Sequence, residues 1–122
     1  MSSILLVEDD NVIRKMISMR LQLSGFEVDT AVNGLEGIEK ASACLYDAIL
    51  MDMHMPVMDG HEATRVLREQ GYQGLIIAVT ASVMSDETSK AINVGCDHFI
   101  SKPIEVTFEQ QVAEFITRYQ DG

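Results

Sequence analysis

The chain has 122 residues, 47% hydrophobic and 23% charged, the composition of one globular domain over residues 1–122 that buries about two-thirds of its unfolded surface. Nineteen acidic residues against 9 basic ones give a formal charge of −10, and the basic residues are scattered, which argues against direct nucleic-acid binding. No apolar run reaches the ~18 residues of a membrane span, and Met1-Ser2-Ser3 lacks the basic flank of a signal peptide, so a cytoplasmic protein without membrane insertion is expected. Cys44 and Cys96 show neither metal-ligand nor disulfide-framework spacing and are expected to be reduced, partly buried thiols.

The first strand candidate, Ile4–Val7, is apolar throughout and stops at Glu8-Asp9-Asp10. A helix follows over about Asn11–Ser24, where Val12, Ile13, Met16, Ile17 and Leu23 recur at helical spacing. Asp10 is its cap or first-turn charge, and Gly25 ends it in a left-handed cap. Phe26–Ala31 is the second strand, and Asn33 can cap a helix near Leu35–Ala43. Ala48–Met51, again apolar throughout, ends at Asp52. The third helix begins at Asp59, with Glu62 three residues on in a pattern close to a capping box. Leu75–Val79 ends at Thr80, and a fourth helix runs from near Ser85, where Asp86 and Glu87 suit a helix N-terminus, to Gly95. The weaker strand His98–Ile100 precedes Lys102. Thr107 with Gln110 opens a last helix that sets Phe108, Val112, Phe115, Ile116 and Tyr119 on one face.

Five strands alternating with helices are the pattern of βαβ units, a parallel sheet covered on both faces. The first, third and fourth strands have no polar alternation and belong in the middle. An open sheet of this kind binds ligands beyond the carboxyl ends of its strands. Glu8, Asp9, Asp52, Thr80 and Lys102 meet there.

Taken singly, an acid after a strand is usually a cap and a lone Thr or Lys is structural or solvated. Together they are chemically coherent. Carboxylates about 4 Å apart repel by about 4 kcal/mol at an effective dielectric of 20, so Glu8, Asp9 and Asp52 call for a cation, and hard oxygen ligands suit magnesium. Lys102 supplies the remaining positive charge, and the Thr80 hydroxyl can donate to a phosphoryl oxygen. Asp52 follows the central strand and is best placed as the nucleophile of an aspartyl phosphate. Met53, Met55 and Met58 crowd the loop behind it and read as core packing and loop anchors.

The segments Leu6-Val7-Glu8-Asp9-Asp10, Met51-Asp52-Met53-His54-Met55-Pro56-Val57-Met58-Asp59-Gly60, Val79-Thr80-Ala81 and Ser101-Lys102-Pro103 resemble, as a set, the receiver domain of two-component response regulators. The likeness covers essentially the whole chain. Residues Met51 to Arg68 are most similar to receivers attached to hybrid sensor kinases. The resemblance implies a flavodoxin-like α/β fold, a doubly wound five-stranded parallel sheet of order 2-1-3-4-5 with five helices in a three-layer sandwich.

It also implies that Asp52 is the phosphoacceptor and that magnesium, with manganese as the alternative, is held by Asp9, Asp52 and the main-chain carbonyl of His54, with Glu8 acting directly or through water. Thr80 matches the switch hydroxyl, Lys102 the paired amine and Phe99 the aromatic that swings inward; a cis bond before Pro103 is implied too. The expected donor is a sensor histidine kinase or a histidine phosphotransfer domain. Phosphorylation is expected to switch the fourth helix, fifth strand and fifth helix for a downstream protein, without conventional enzymatic turnover. His54 and Ser82 occupy positions that influence how water reaches the acyl phosphate. His61 and His98 read as surface or helix-packing residues without assigned chemistry.

The rivals are a receiver-like module that only binds a partner, an aspartyl-phosphate phosphatase of the haloacid-dehalogenase type, and a flavin protein of the same fold class. The phosphatase needs a second Asp where His54 stands, and the flavin protein needs a Ser/Thr/Gly-rich loop where Glu8-Asp9-Asp10 stands.

Overall fold

The computed structural model describes residues 2–55, 57–80 and 85–121, apart from the side chains of 85–89. Pro56, Ala81, Ser82 and the side chains of Asp86 and Glu87 therefore lie outside the described residues. The elements run β1 (Ser3–Val7), α1 (Asn11–Leu23), β2 (Glu27–Ala31), α2 (Gly34–Ala43), β3 (Ala48–Asp52), α3 (Gly60–Glu69), β4 (Ile76–Thr80), α4 (Ser85–Val94), β5 (His98–Ser101) and α5 (Phe108–Asp121). All strand pairs are parallel, and the sheet order is β2-β1-β3-β4-β5, as expected from the sequence.

The sheet's burial explains why its central strands are apolar at every position. Leu5, Val7, Ile49, Met51, Ile76 and Ala78 point into one core, closed by Ile38 and Ala41 of α2, Ala63 and Leu67 of α3 and Ala91 of α4. Ile4, Leu6, Leu50, Ile77 and Val79 point into the other, closed by Ile17 and Leu21 of α1 and by Phe108, Val112 and Ile116 of α5. Alternation in a strand thus sorts residues between two dry layers, and each fully buried aliphatic side chain contributes about 1.5–3 kcal/mol. The edge strand β2 keeps Glu27 and Asp29 exposed, which discourages pairing with a further strand.

Helix starts follow the expected chemistry. The Asp10 carboxylate accepts from the Val12 and Ile13 N–H groups, Asn33 from Glu36 and Asp59 from Glu62, each at 2.9 Å. At the end of α1, Gly25 has φ +98°, the left-handed conformation expected of it.

The structure corrects several expectations. Strands β3 and β4 include Asp52 and Thr80 as their last paired residues, opposite Val79 and Ser101, so two site residues belong to the sheet rather than to the loops after it. On α1, Ile17 and the unanticipated Leu21 face the core, whereas Val12, Met16 and Leu23 are exposed. That helix has a second apolar stripe, Val12, Met16, Met19 and Leu23, which periodicity alone does not separate from the buried one. At α5 the Thr107 hydroxyl accepts from Gln111 Nε2 at 3.4 Å, in place of a bond within the expected Thr107–Gln110 box. Cys44 is exposed and only Cys96 is buried; both are free thiols. His61 is buried, and His98 stacks on Phe115 with ring centroids 4.1 Å apart.

Candidate functional site

Parallel pairing of β1 with β3 and of β3 with β4 carries the residues after Val7, the end of β3 and the end of β4 to one edge of the sheet. There the carboxylate oxygens of Glu8, Asp9 and Asp52 lie within 4.8 Å of one another. Glu8 continues the ladder through its N–H to the Ala31 carbonyl at 3.0 Å, so its side chain is held deep, at 2% exposure, beside Asp52 at 5%.

Lys102 reaches in from beyond β5, its Nζ 2.7 Å from Glu8 Oε1 and 3.4 Å from Asp52 Oδ1. Burial is the largest influence on this amine and favours the neutral form. The hydrogen bond to Glu8 and the charges of Asp52 and Glu8 outweigh it together, and the net pKa is raised. Lys102 is therefore an ammonium throughout the neutral range. The Lys102–Pro103 peptide is cis, as the resemblance implied.

The hydrogen bonds divide the carboxylates by role. Glu8 uses both oxygens on the protein, Oε1 on Lys102 and Oε2 on the Asp10 N–H at 3.2 Å. Asp52 Oδ1 accepts from the His54 N–H at 3.2 Å and faces Lys102. Among the described residues, Asp52 Oδ2 and the Asp9 carboxylate accept no hydrogen bond. Three carboxylates against one ammonium leave a negative surplus, built entirely of hard oxygen donors, and that donor set fits a dication such as magnesium.

Thr80 is 3% exposed at the end of β4, and its carbonyl accepts the Lys102 N–H at 2.8 Å, which ties the hydroxyl-bearing strand end to the ammonium-bearing one. Phe99, in β5 opposite Ala78, is 39% exposed, so its ring lies outward in this structure.

Two supporting residues escaped the sequence reading. Arg14 donates through Nη1 to the carbonyls of Glu8 and Asp9, at 3.0 and 3.3 Å, and pins the acidic turn. Its only signal was a basic residue one turn into the helix after the acidic run. Gly60, the first residue of α3, approaches β3 so closely that a Cβ there would lie 2.2 Å from the Asp52 carbonyl. The signal was a glycine directly after the Asp59 cap, where any larger side chain would displace the backbone that carries Asp52.

A doubly wound sheet with a carboxylate cluster and a partly buried ammonium at the carboxyl ends of its strands defines a flavodoxin-like α/β protein whose donor set fits a hard cation. The chain belongs to the response regulator receiver domain family, whose model matches residues 4–112. It is 41% identical over 110 residues to hybrid signal transduction histidine kinase G of Dictyostelium discoideum, covering 84% of this chain and 3% of that protein. It is 40% identical to the two-component response regulator ORR41 of Oryza sativa subsp. japonica, covering 85% of both chains. The chain spans 11% or less of the length of related hybrid signal transduction histidine kinases of Dictyostelium discoideum and of the sensor protein EvgS of Escherichia coli. Among solved structures, the receiver domain of sensor histidine kinase PA1611 from Pseudomonas aeruginosa, with magnesium coordinated in its active-site cleft, is 31% identical with a TM-score of 0.86 over 99% of this chain and 98% of that one. A Francisella response regulator receiver domain at 23% identity and TM-score 0.91, covering 98% and 99% of the two chains, shares the fold. Two-component signalling is thus the setting of this domain, and no helix among the described residues is long and apolar enough to cross a membrane.

Proposed function

We propose that Asp52 accepts a phosphoryl group from a phosphohistidine on a sensor histidine kinase or histidine phosphotransfer domain. The observation that carries this reading is the buried Asp52 carboxylate with one oxygen held by His54 and Lys102 and the other left for attack. That oxygen forms the new O–P bond while the donor's P–N bond breaks and its electron pair returns to the imidazole. Lys102 lies ready to neutralise the transferred group, and Thr80 to donate a hydroxyl to it.

Magnesium, or manganese, would be held by Asp9, Asp52 and the His54 carbonyl, with Glu8 acting through water because both its oxygens already serve the protein. When bound, it neutralises phosphoryl charge. The related magnesium-bearing receiver supports this assignment.

A protein donor agrees with the surface beside the site. A groove of about 360 Å³ lined by Met16, Lys102, Pro103 and Ile104 adjoins the ammonium. The neighbouring α1 carries Arg14, Lys15 and Arg20 with no acidic residue, in a chain of net charge −10.

In this reading Thr80 moves toward the new dianion and Phe99 turns inward, which changes the face of α4, β5 and α5 offered to a downstream protein. The domain is an acceptor without conventional turnover, located in the cytoplasm and making no direct nucleic-acid contact. The test is the intact mass after incubation with acetyl phosphate and magnesium. Wild type gains one phosphoryl mass, Asp52→Asn gains none, and Thr80→Ala gains it without the accompanying NMR shifts on α4, β5 and α5. An unmodified wild type, or an equally labelled Asp52→Asn, overturns the proposal.

A further inference from the structure

The acidic turn after β1 is held on both sides of Asp9. The Glu8 N–H binds the Ala31 carbonyl at 3.0 Å, and Asp10 donates its own N–H to Glu8 Oε2 at 3.2 Å while its carboxylate caps α1. The Asp9 carboxylate accepts no hydrogen bond among the described residues, so its aim is set by the main chain. The one described donor to the Asp9 carbonyl is Arg14, whose Nη1 lies 3.3 Å from it and 3.0 Å from the Glu8 carbonyl. The guanidinium is itself fixed: Nη2 donates to Asn11 Oδ1, and Arg14 shares a helix face with Ile17 and Leu21, both in the core.

Charge and geometry act in opposite directions at this residue. A guanidinium close to three carboxylates repels an incoming dication, so by charge alone its removal would tighten cation binding. A planar group that bonds Asn11 and two successive carbonyls at once also holds the backbone that carries Asp9. Such rigidity favours magnesium, which demands strict octahedral placement of its ligands, over calcium, which accepts longer and more variable distances.

We propose that Arg14 is a positioning residue that sets the Asp9 carboxylate for magnesium and thereby favours magnesium over calcium. This rests on the reading of Glu8, Asp9 and Asp52 as the magnesium site.

The test is amide NMR titration of the unphosphorylated protein with magnesium chloride and, separately, with calcium chloride, for wild type, Arg14→Ala and Arg14→Lys. Losing a group that orients a metal ligand costs about tenfold or more in affinity. Arg14→Ala is expected to weaken magnesium by that factor and calcium by less, which narrows the preference between them. Arg14→Lys keeps the charge without the planar fork and is expected to fall between wild type and Arg14→Ala, with the same direction of change. The metal-free spectra show that each variant is folded, and Arg14→Lys carries the test if Arg14→Ala is not.

Magnesium binding that is unchanged or tighter in the folded variants overturns the proposal, as does an equal loss of both ions. A wild type that binds neither ion overturns the magnesium reading and, with it, the role given to Arg14. That failure shows in the wild type, whereas a failure at Arg14 shows only in the variants.

Discussion

The sheet carries a charged cluster at each end, and the two are built on opposite principles. At the amino end of β4 and β5, Arg68 donates Nε to the Gly95 carbonyl at 2.9 Å and Nη1 to the carbonyls of Tyr72 and Gly74 at 2.8 Å. Its Nη2 donates to Asp97 Oδ2 at 2.9 Å, and the same oxygen accepts the Ile76 N–H. One cation meets one anion there, with the surrounding carbonyls satisfied. At the carboxyl end three carboxylates face one ammonium, and the Asp9 carboxylate and Asp52 Oδ2 have no donor among the described residues. A saturated cluster stabilises and has nothing left to bind. The surplus at the other end costs stability and favours a cation.

That contrast sets opposite signs for removing charge at the two ends. Arg68→Ala strands Asp97 and three carbonyls in a partly buried setting and is expected to cost about 2–3 kcal/mol in urea unfolding, with phosphorylation intact below the transition. A loss under about 0.5 kcal/mol would erase the distinction between the clusters. Asp9→Ala is expected to leave metal-free stability unchanged or raised, because it relieves repulsion, while weakening magnesium binding by about tenfold or more. Destabilisation without any change in magnesium affinity by titration would show that the acidic end is structural too.

The smallest expected effect sharpens the comparison from the saturated side, where Cys96 follows the Gly95 that Arg68 holds. Burial pushes the Cys96 thiol up to about 11, with the Thr64 contact and the Arg68 charge opposing weakly. The native state thus keeps a proton that the unfolded chain releases near pH 9, so stability is full below that value and falls as pH rises toward 11. About 1 kcal/mol is expected to be lost by pH 10, and Cys96→Ala should remove that share of the slope. Tyr46 and Tyr72, both raised by burial first, add slopes of the same sign that the variant leaves in place. An unchanged slope in Cys96→Ala would contradict the burial argument.

The contrast also marks what the sequence disclosed. Runs such as Ile49-Leu50-Met51 are apolar because both faces of the sheet are covered, so the central strands were legible from the pattern, their order came only with the family resemblance, and the strand-end rule pointed to Glu8, Asp9, Asp52, Thr80 and Lys102. Caps at Asp10, Asn33 and Asp59 were legible because they are local. Tertiary contacts were not. Arg14 pins the acidic turn through carbonyls, which leave no mark in a residue pattern. Arg68 finds its partners in Gly95 and Asp97, far along the chain. The two stripes of α1 share one periodicity, and only the packing of α1 against the sheet shows that Leu21 is covered and Leu23 is not.

The central claim, that the unsaturated end of the sheet accepts phosphate at one carboxylate, is tested most directly by trapping the product. Borohydride reduction after acetyl phosphate treatment converts an aspartyl phosphate to homoserine, and peptide mass mapping locates it. The account predicts homoserine at position 52 alone, formed with magnesium and absent when the metal is chelated. Homoserine at position 9, label retained on His54, or labelling indifferent to magnesium would contradict it.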